Sequence, residues 1–108
     1  MYVTELLSWQ AKDKVTDQAM VLAVEAMLDD LRSLPGFLFQ NLSKDSQDNW
    51  VEVYFWRTAE DAHQSNERMA NKASLQQLMQ LIKPESLKME VMTPLQDSGF
   101  FLKNNISL

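Results

Sequence analysis

The chain has no cysteine, a single histidine, two glycines and three prolines in 108 residues. Without cysteine there can be no disulfide, no thiolate nucleophile and no Cys-ligated metal or cluster, a composition that fits a reducing, cytoplasmic setting. A histidine metal cluster fails as well, because His63 stands alone. So little glycine and proline argues against disorder and against a turn-rich β-sandwich. No window approaches the ~20 consecutive apolar residues of a membrane-spanning helix, and the opening MYVTELLSWQAK lacks the basic leader and small-residue cleavage site of a signal peptide. The expectation is a cytoplasmic protein with no membrane partner. Basic charge is scarce too: 15 acidic against 10 basic side chains give a net charge of −5, which repels a phosphate backbone and speaks against nucleic acid.

What the chain does have is apolar residues, 45% of the total, enough for the core of one small domain. Residues 2–11 read as a strand with Val3, Glu5, Leu7 and Trp9 on one face and Tyr2, Thr4, Leu6 and Ser8 on the other. Thr16 is then an N-cap, with Asp17 in the first turn where the helix dipole favours negative charge. Met20, Val24, Met27, Leu31 and Leu34 recur at spacings of four and three, predicting one amphipathic helix of about five turns that stops at Pro35 and Gly36.

Two apolar runs, GFLFQNLSK and WVEVYFW, flank the polar stretch SKDSQDN and predict an antiparallel hairpin. The second run is almost continuously apolar, as in a central strand covered on both faces. Thr58 with Asp61 reads as the capping pair of a second helix, and Ser74 with Gln77 as a fresh capping box, so this helix should bend near residues 71–74. Pro84 closes it, and Leu87, Met89 and Val91 then alternate with Lys88 and Glu90 as in a half-exposed strand.

The order strand, helix, strand, strand, bent helix, strand is the α+β, ferredoxin-like βαββαβ arrangement, with a four-stranded antiparallel sheet and helices on one face. Residues 1–94 form this domain, and residues 95–108 a C-terminal tail whose Phe100 and Phe101 would contact a second subunit. Because Val51, Val53 and Phe55 oppose Trp50, Tyr54 and Trp56, neither side of the third strand suits water. An identical subunit is the expected cover for the bare face, giving a homodimer.

With that topology and the run VEVYFWRTAEDA, the chain resembles the dimeric α+β barrel superfamily, and within it the antibiotic biosynthesis monooxygenase (ABM) domain family, over residues 1–94. The resemblance implies a homodimeric barrel with a small-molecule pocket in each subunit. It also implies a possible activity, cofactor-independent monooxygenation of an aromatic phenol or quinol. Trp56 falls where such enzymes place a pocket-facing tryptophan at the end of a strand. Where several have an asparagine four residues earlier, this chain has Glu52. Haem-degrading relatives carry a histidine about ten residues after the tryptophan, a position held here by Asn66, with His63 nearly one turn early.

The candidate catalytic residues are therefore Glu52 and His63, and the candidate substrate-binding residues Trp56, Tyr54 and Trp9. A carboxylate buried among aromatics has a raised pKa and can take a phenolic proton near neutral pH. The plainer alternative pairs Glu52 with Arg57 or Lys44. Trp56 and Tyr54 could stack on a flat ligand or simply fill the core, and His63 could act as acid or base or be solvated. Trp9 is either a pocket wall or a dimer contact, and the methionines read mainly as core filler. No metal and no cofactor is called for. The rival to an enzyme is a non-catalytic dimer that binds a ligand or a protein partner, with a haem-degrading oxygenase behind both.

Overall fold

A computed structural model describes residues 1–99. The proposed tail contact of Phe100 and Phe101 lies outside the described residues. The elements run β1 (Val3–Trp9), α1 (Asp17–Glu25), α2 (Leu28–Arg32), β2 (Phe37–Lys44), β3 (Trp50–Trp56), α3 (Ala59–Met69), α4 (Ala73–Met79), a 3₁₀ turn (Pro84–Ser86) and β4 (Lys88–Met92). The four strands form one antiparallel sheet in the order β2-β3-β1-β4, with the third strand in its interior. This is the ferredoxin-like arrangement.

Strand alternation decides which side chains meet the helices. Val3, Glu5 and Trp9 of β1 and Trp50, Glu52, Tyr54 and Trp56 of β3 are buried on one face, packed with Met20, Val24, Met27 and Leu31 from the first helical region and Ala62, Met69 and Leu78 from the second. On the opposite face Leu6, Val51 and Val53 are only half-buried. The register Trp9↔Trp50, Leu7↔Glu52, Glu5↔Tyr54 and Val3↔Trp56 sets the buried side chains of the two inner strands against one another.

The first helical region is not one helix. The Thr16 side chain caps α1 by accepting from the Ala19 N–H, as expected, but the ladder tightens at Met27, whose N–H bonds Val24 rather than a residue four back, before α2 begins. The apolar stripe continues across this break because both segments stay right-handed, so spacing alone did not reveal it. The second region breaks between α3 and α4, at residues 70–72, overlapping the start of the expected stretch, and Thr58 caps α3 by accepting from the Asp61 N–H at 3.0 Å. Ser74 is not a cap: Lys72 holds the N-cap position of α4, and the Ser74 hydroxyl donates instead to Asp30 Oδ2 at 2.7 Å, joining α4 to α2.

Two local devices position β3. Gly36 has φ +80°, and a Cβ there would run into the Asp61 carboxylate, so this turn requires glycine both for its backbone and for the close approach. Its carbonyl accepts from the Arg57 N–H at 2.8 Å, tying the start of β2 to the end of β3. A bulge then interrupts the β2–β3 register between Phe37 and Phe39. Residues two apart in a strand normally share a face, but across this bulge they do not. Phe37 lies edge-on to Trp56, with centroids 5.6 Å apart, whereas Phe39 stacks on Phe55 of the opposite face at 5.2 Å.

Candidate functional site

Between the sheet and the helices lies a cavity of about 360 Å³, within the range of small-molecule sites. Its sheet wall carries Glu5, Trp9, Glu52, Tyr54 and Trp56, and its helical wall is built largely from Met27, Leu31, Met69, Leu75, Leu78 and Met79. Leu87 and Met89, both exposed to solvent, also line it, which puts an opening on the β4 side.

The aromatic wall is rigid. Tyr54 and Trp56, two apart on β3, stack with centroids 5.7 Å apart and planes 25° from parallel, and Phe37 meets both edge-on. The Trp56 indole N–H donates to Glu5 Oε1 at 2.9 Å. The other oxygen of Glu5 accepts from Asn66 Nδ2 of α3 at 3.4 Å, so one carboxylate joins the end of β3 to a helix. The Trp9 indole N–H is buried and has no hydrogen-bond partner among the described residues.

Glu52 is 2% exposed. It pairs with neither Lys44 nor Arg57. Lys44 bonds Asp17 at 2.8 Å and Asp48 at 3.6 Å and sits over the Trp50 ring. Glu52 instead accepts from Gln40 Nε2 at 2.8 Å and from the Tyr54 hydroxyl. Burial pushes the Glu52 carboxyl up to about 7, the two hydrogen bonds oppose that rise, and the nearby Glu5 charge adds to it. Burial also raises Glu5, against the pull of Trp56, Asn66 and the His63 charge. Burial, and then the Glu52 charge, push the Tyr54 phenol up, so it is a hydrogen-bond donor rather than a phenolate. A carboxyl poised near 7 exists in both protonation states at neutral pH, as a group that takes up and returns a proton must.

Of the five residues singled out from the sequence, four line the cavity: Glu52, Trp56, Tyr54 and Trp9. His63 does not. It is exposed on α3, and the lining contains no histidine to hold haem iron. Two residues that face the cavity had not been singled out as site residues. Glu5 was legible as a carboxylate on the face Val3, Glu5, Leu7, Trp9, where a buried charge calls for explanation. Asn66 occupies the position ten after Trp56 and reaches Glu5, a contact no local pattern encodes. The described residues hold no group of three or more His, Asp or Glu side chains suited to a metal ion.

No family model and no curated protein matches this sequence. Solved structures do. The cofactor-independent oxygenase SnoaB of Streptomyces nogalater superposes with a TM-score of 0.74 at 12% identity, over 90% of this chain and 96% of that one. An antibiotic-biosynthesis-monooxygenase-type protein from Bordetella bronchiseptica gives a TM-score of 0.76 at 9% identity, over 88% and 98%. Another, from Nitrosomonas europaea, gives 0.72 at 14% identity, over 91% and 94%. At such identities the likeness is one of fold: the chain has the ABM-type fold across nearly its whole length, and fold alone does not carry chemistry.

Proposed function

We propose that this protein is a cytoplasmic homodimer that binds a hydrophobic phenol or quinol in its cavity and oxidises it with molecular oxygen without a resident cofactor. The observation that carries this reading is Glu52: a carboxyl buried in the cavity that Tyr54 and Trp56 also line, held by neutral donors only, with a pKa of about 7. The likeness in fold to a cofactor-independent oxygenase supports it. The half-buried apolar face formed by Leu6, Val51 and Val53, on the side away from the helices, supports the dimer.

In the proposed reaction Glu52 takes the phenolic proton. The phenolate passes one electron to oxygen, and the two radicals join at the ring carbon para to the oxygen. The resulting peroxide recovers the proton from Glu52. Loss of the ring C–H proton and of hydroxide then cleaves the O–O bond, leaving a quinone and one water; phenol plus O₂ gives quinone plus H₂O. Tyr54 donates to Glu52 and orients it, Trp56 and Trp9 wall the ring, and the apolar helical wall excludes water.

The experiment is oxygen uptake with dihydroxynaphthalenes, quinols and anthrones. Uptake above buffer that Glu52→Gln lowers by about 10²-fold or more is expected for loss of a general base. His63→Ala, altering an exposed residue outside the cavity, should leave the rate within about twofold. If these ligands bind and no oxygen is consumed, the protein is the non-catalytic ligand-binding dimer instead.

A further inference from the structure

The cavity reads as a ligand site, and its charge inventory says more about the ligand than its shape does. Two carboxylates line it, Glu5 from β1 and Glu52 from β3, and no lysine, arginine or histidine does. Glu5 is directly opposite Tyr54 in the register and Glu52 opposite Leu7, so the two acids are diagonal neighbours on one face, about 7 Å apart at the backbone. Neither has an ion-pair partner within the described residues. Trp56 and Asn66 donate to Glu5, and Gln40 and Tyr54 to Glu52; the Trp9 indole N–H on the same lining has no partner among the described residues, but it carries no charge to offset an anion. The Ser65 hydroxyl, also on the lining, donates to the Ala62 carbonyl at 2.6 Å.

We propose that Glu5 is a specificity-determining residue: together with Glu52 it makes the cavity take uncharged aromatic molecules bearing a hydroxyl and closes it to aromatic acids. The proposal rests on reading the cavity as the ligand site, and not on the oxygen chemistry. An aromatic carboxylate entering here would lose its water, find no cation on the lining, and face the Glu5 and Glu52 acid groups at short range in a medium of low dielectric. A neutral hydroxyl needs only an acceptor, which is what the two acids offer. The titratable groups that bear on this end of the cavity are Glu5, Glu52 and Tyr54 on the sheet and the exposed His63 on α3, whose charge reaches Glu5. The other lining residues of the helices and of β4 carry no ionisable side chain.

The test compares two ligands with one ring system, 1-naphthol and 1-naphthoate, titrated into the full-length protein by calorimetry at pH 8. Naphthol should bind at least about tenfold more tightly. In Glu5→Gln, which keeps the size of the side chain and its acceptor for the Trp56 N–H, the gap should narrow because naphthoate binds better. Equal affinities in the parent, or an unchanged gap in a folded Glu5→Gln protein, would overturn the proposal. Should that variant not fold, the parent itself decides: lowering the pH from 8 to about 5.5 protonates Glu52 and moves Glu5, whose pKa burial also raises, toward its neutral form while naphthoate stays ionised, so the gap must shrink, and a constant gap refutes the claim. Failure of both ligands to bind removes this proposal together with the ligand-site reading. Discrimination between them without oxygen uptake sinks only the oxygenase.

Discussion

Both faces of β3 are rich in apolar side chains, three aromatics on one and two valines with a phenylalanine on the other, yet they have different fates. On the inner face Trp50, Glu52, Tyr54 and Trp56 are buried on the helix side, and Glu52, Tyr54 and Trp56 are hydrogen-bonded through their polar atoms. On the outer face Val51, Val53 and Phe55 alternate with them and remain half-buried. Hydrophobicity alone does not tell the two faces apart. The separation comes from what the polar atoms find, because the inner face of β3 carries Glu52, bonded by Gln40 and Tyr54, and Trp56, bonded to Glu5 of β1, whereas Val51, Val53 and Phe55 offer no side-chain polar atom.

The sharpest way to break this comparison is to remove the inner wall. Trp56→Ala deletes a fully buried indole and leaves the Glu5 carboxylate short of a donor; it should cost about 3–5 kcal/mol in urea unfolding, the usual range for such truncations. Next comes pH. The carboxyl of Glu52 is raised from 4.5 to about 7 on folding, so the folded state holds its proton more tightly than the unfolded chain. Its contribution is fully present below pH 4.5 and is lost as pH rises through about 7, a change of about 3 kcal/mol. Urea midpoints at pH 4.5 and pH 8 should therefore fall less in Glu52→Gln than in the parent; equal falls would mean that the carboxyl is not perturbed.

A smaller effect tests the helical wall. Ser74→Ala removes the bond from α4 to Asp30 and should destabilise by about 1 kcal/mol, with naphthol affinity falling slightly as α4 loosens. The outer face closes the series. Val53→Lys should change the stability of a single chain by less than about 1 kcal/mol, since a half-exposed lysine keeps its charge in water. The same change should convert a dimer to a monomer in light scattering. A parent that is already monomeric at low micromolar concentration would end the dimer proposal and leave the cavity intact.

Much of this was legible in the chain. Period-two alternation in β1 and β3 assigned the faces correctly, because a strand has no other way to place successive side chains. Thr16 and Thr58 announced both helix starts, because an N-cap is a local contact. Ser74 shows where such reasoning stops: α4 starts one residue before it, so it sits in the first turn rather than at the cap, and its hydroxyl reaches Asp30 of α2 instead. Glu5 shows the same in the site. His63, in the first turns of a polar helix, fits its solvated reading, whereas an acid among apolar residues on β1 drew no notice until its partners were known.

The order of the strands and helical regions, the buried faces of β1 and β3 and the gathering of Glu52, Tyr54 and Trp56 along one side were written in the chain, since these follow from backbone periodicity and local turns. Tertiary structure decided that Phe37 and Phe39 part to opposite faces, that Glu5 and Asn66 converge on Trp56, and that Glu52 meets Gln40 rather than a cation. Those outcomes depend on register across strands and on packing between segments up to 61 residues apart, distances over which no sequence pattern propagates.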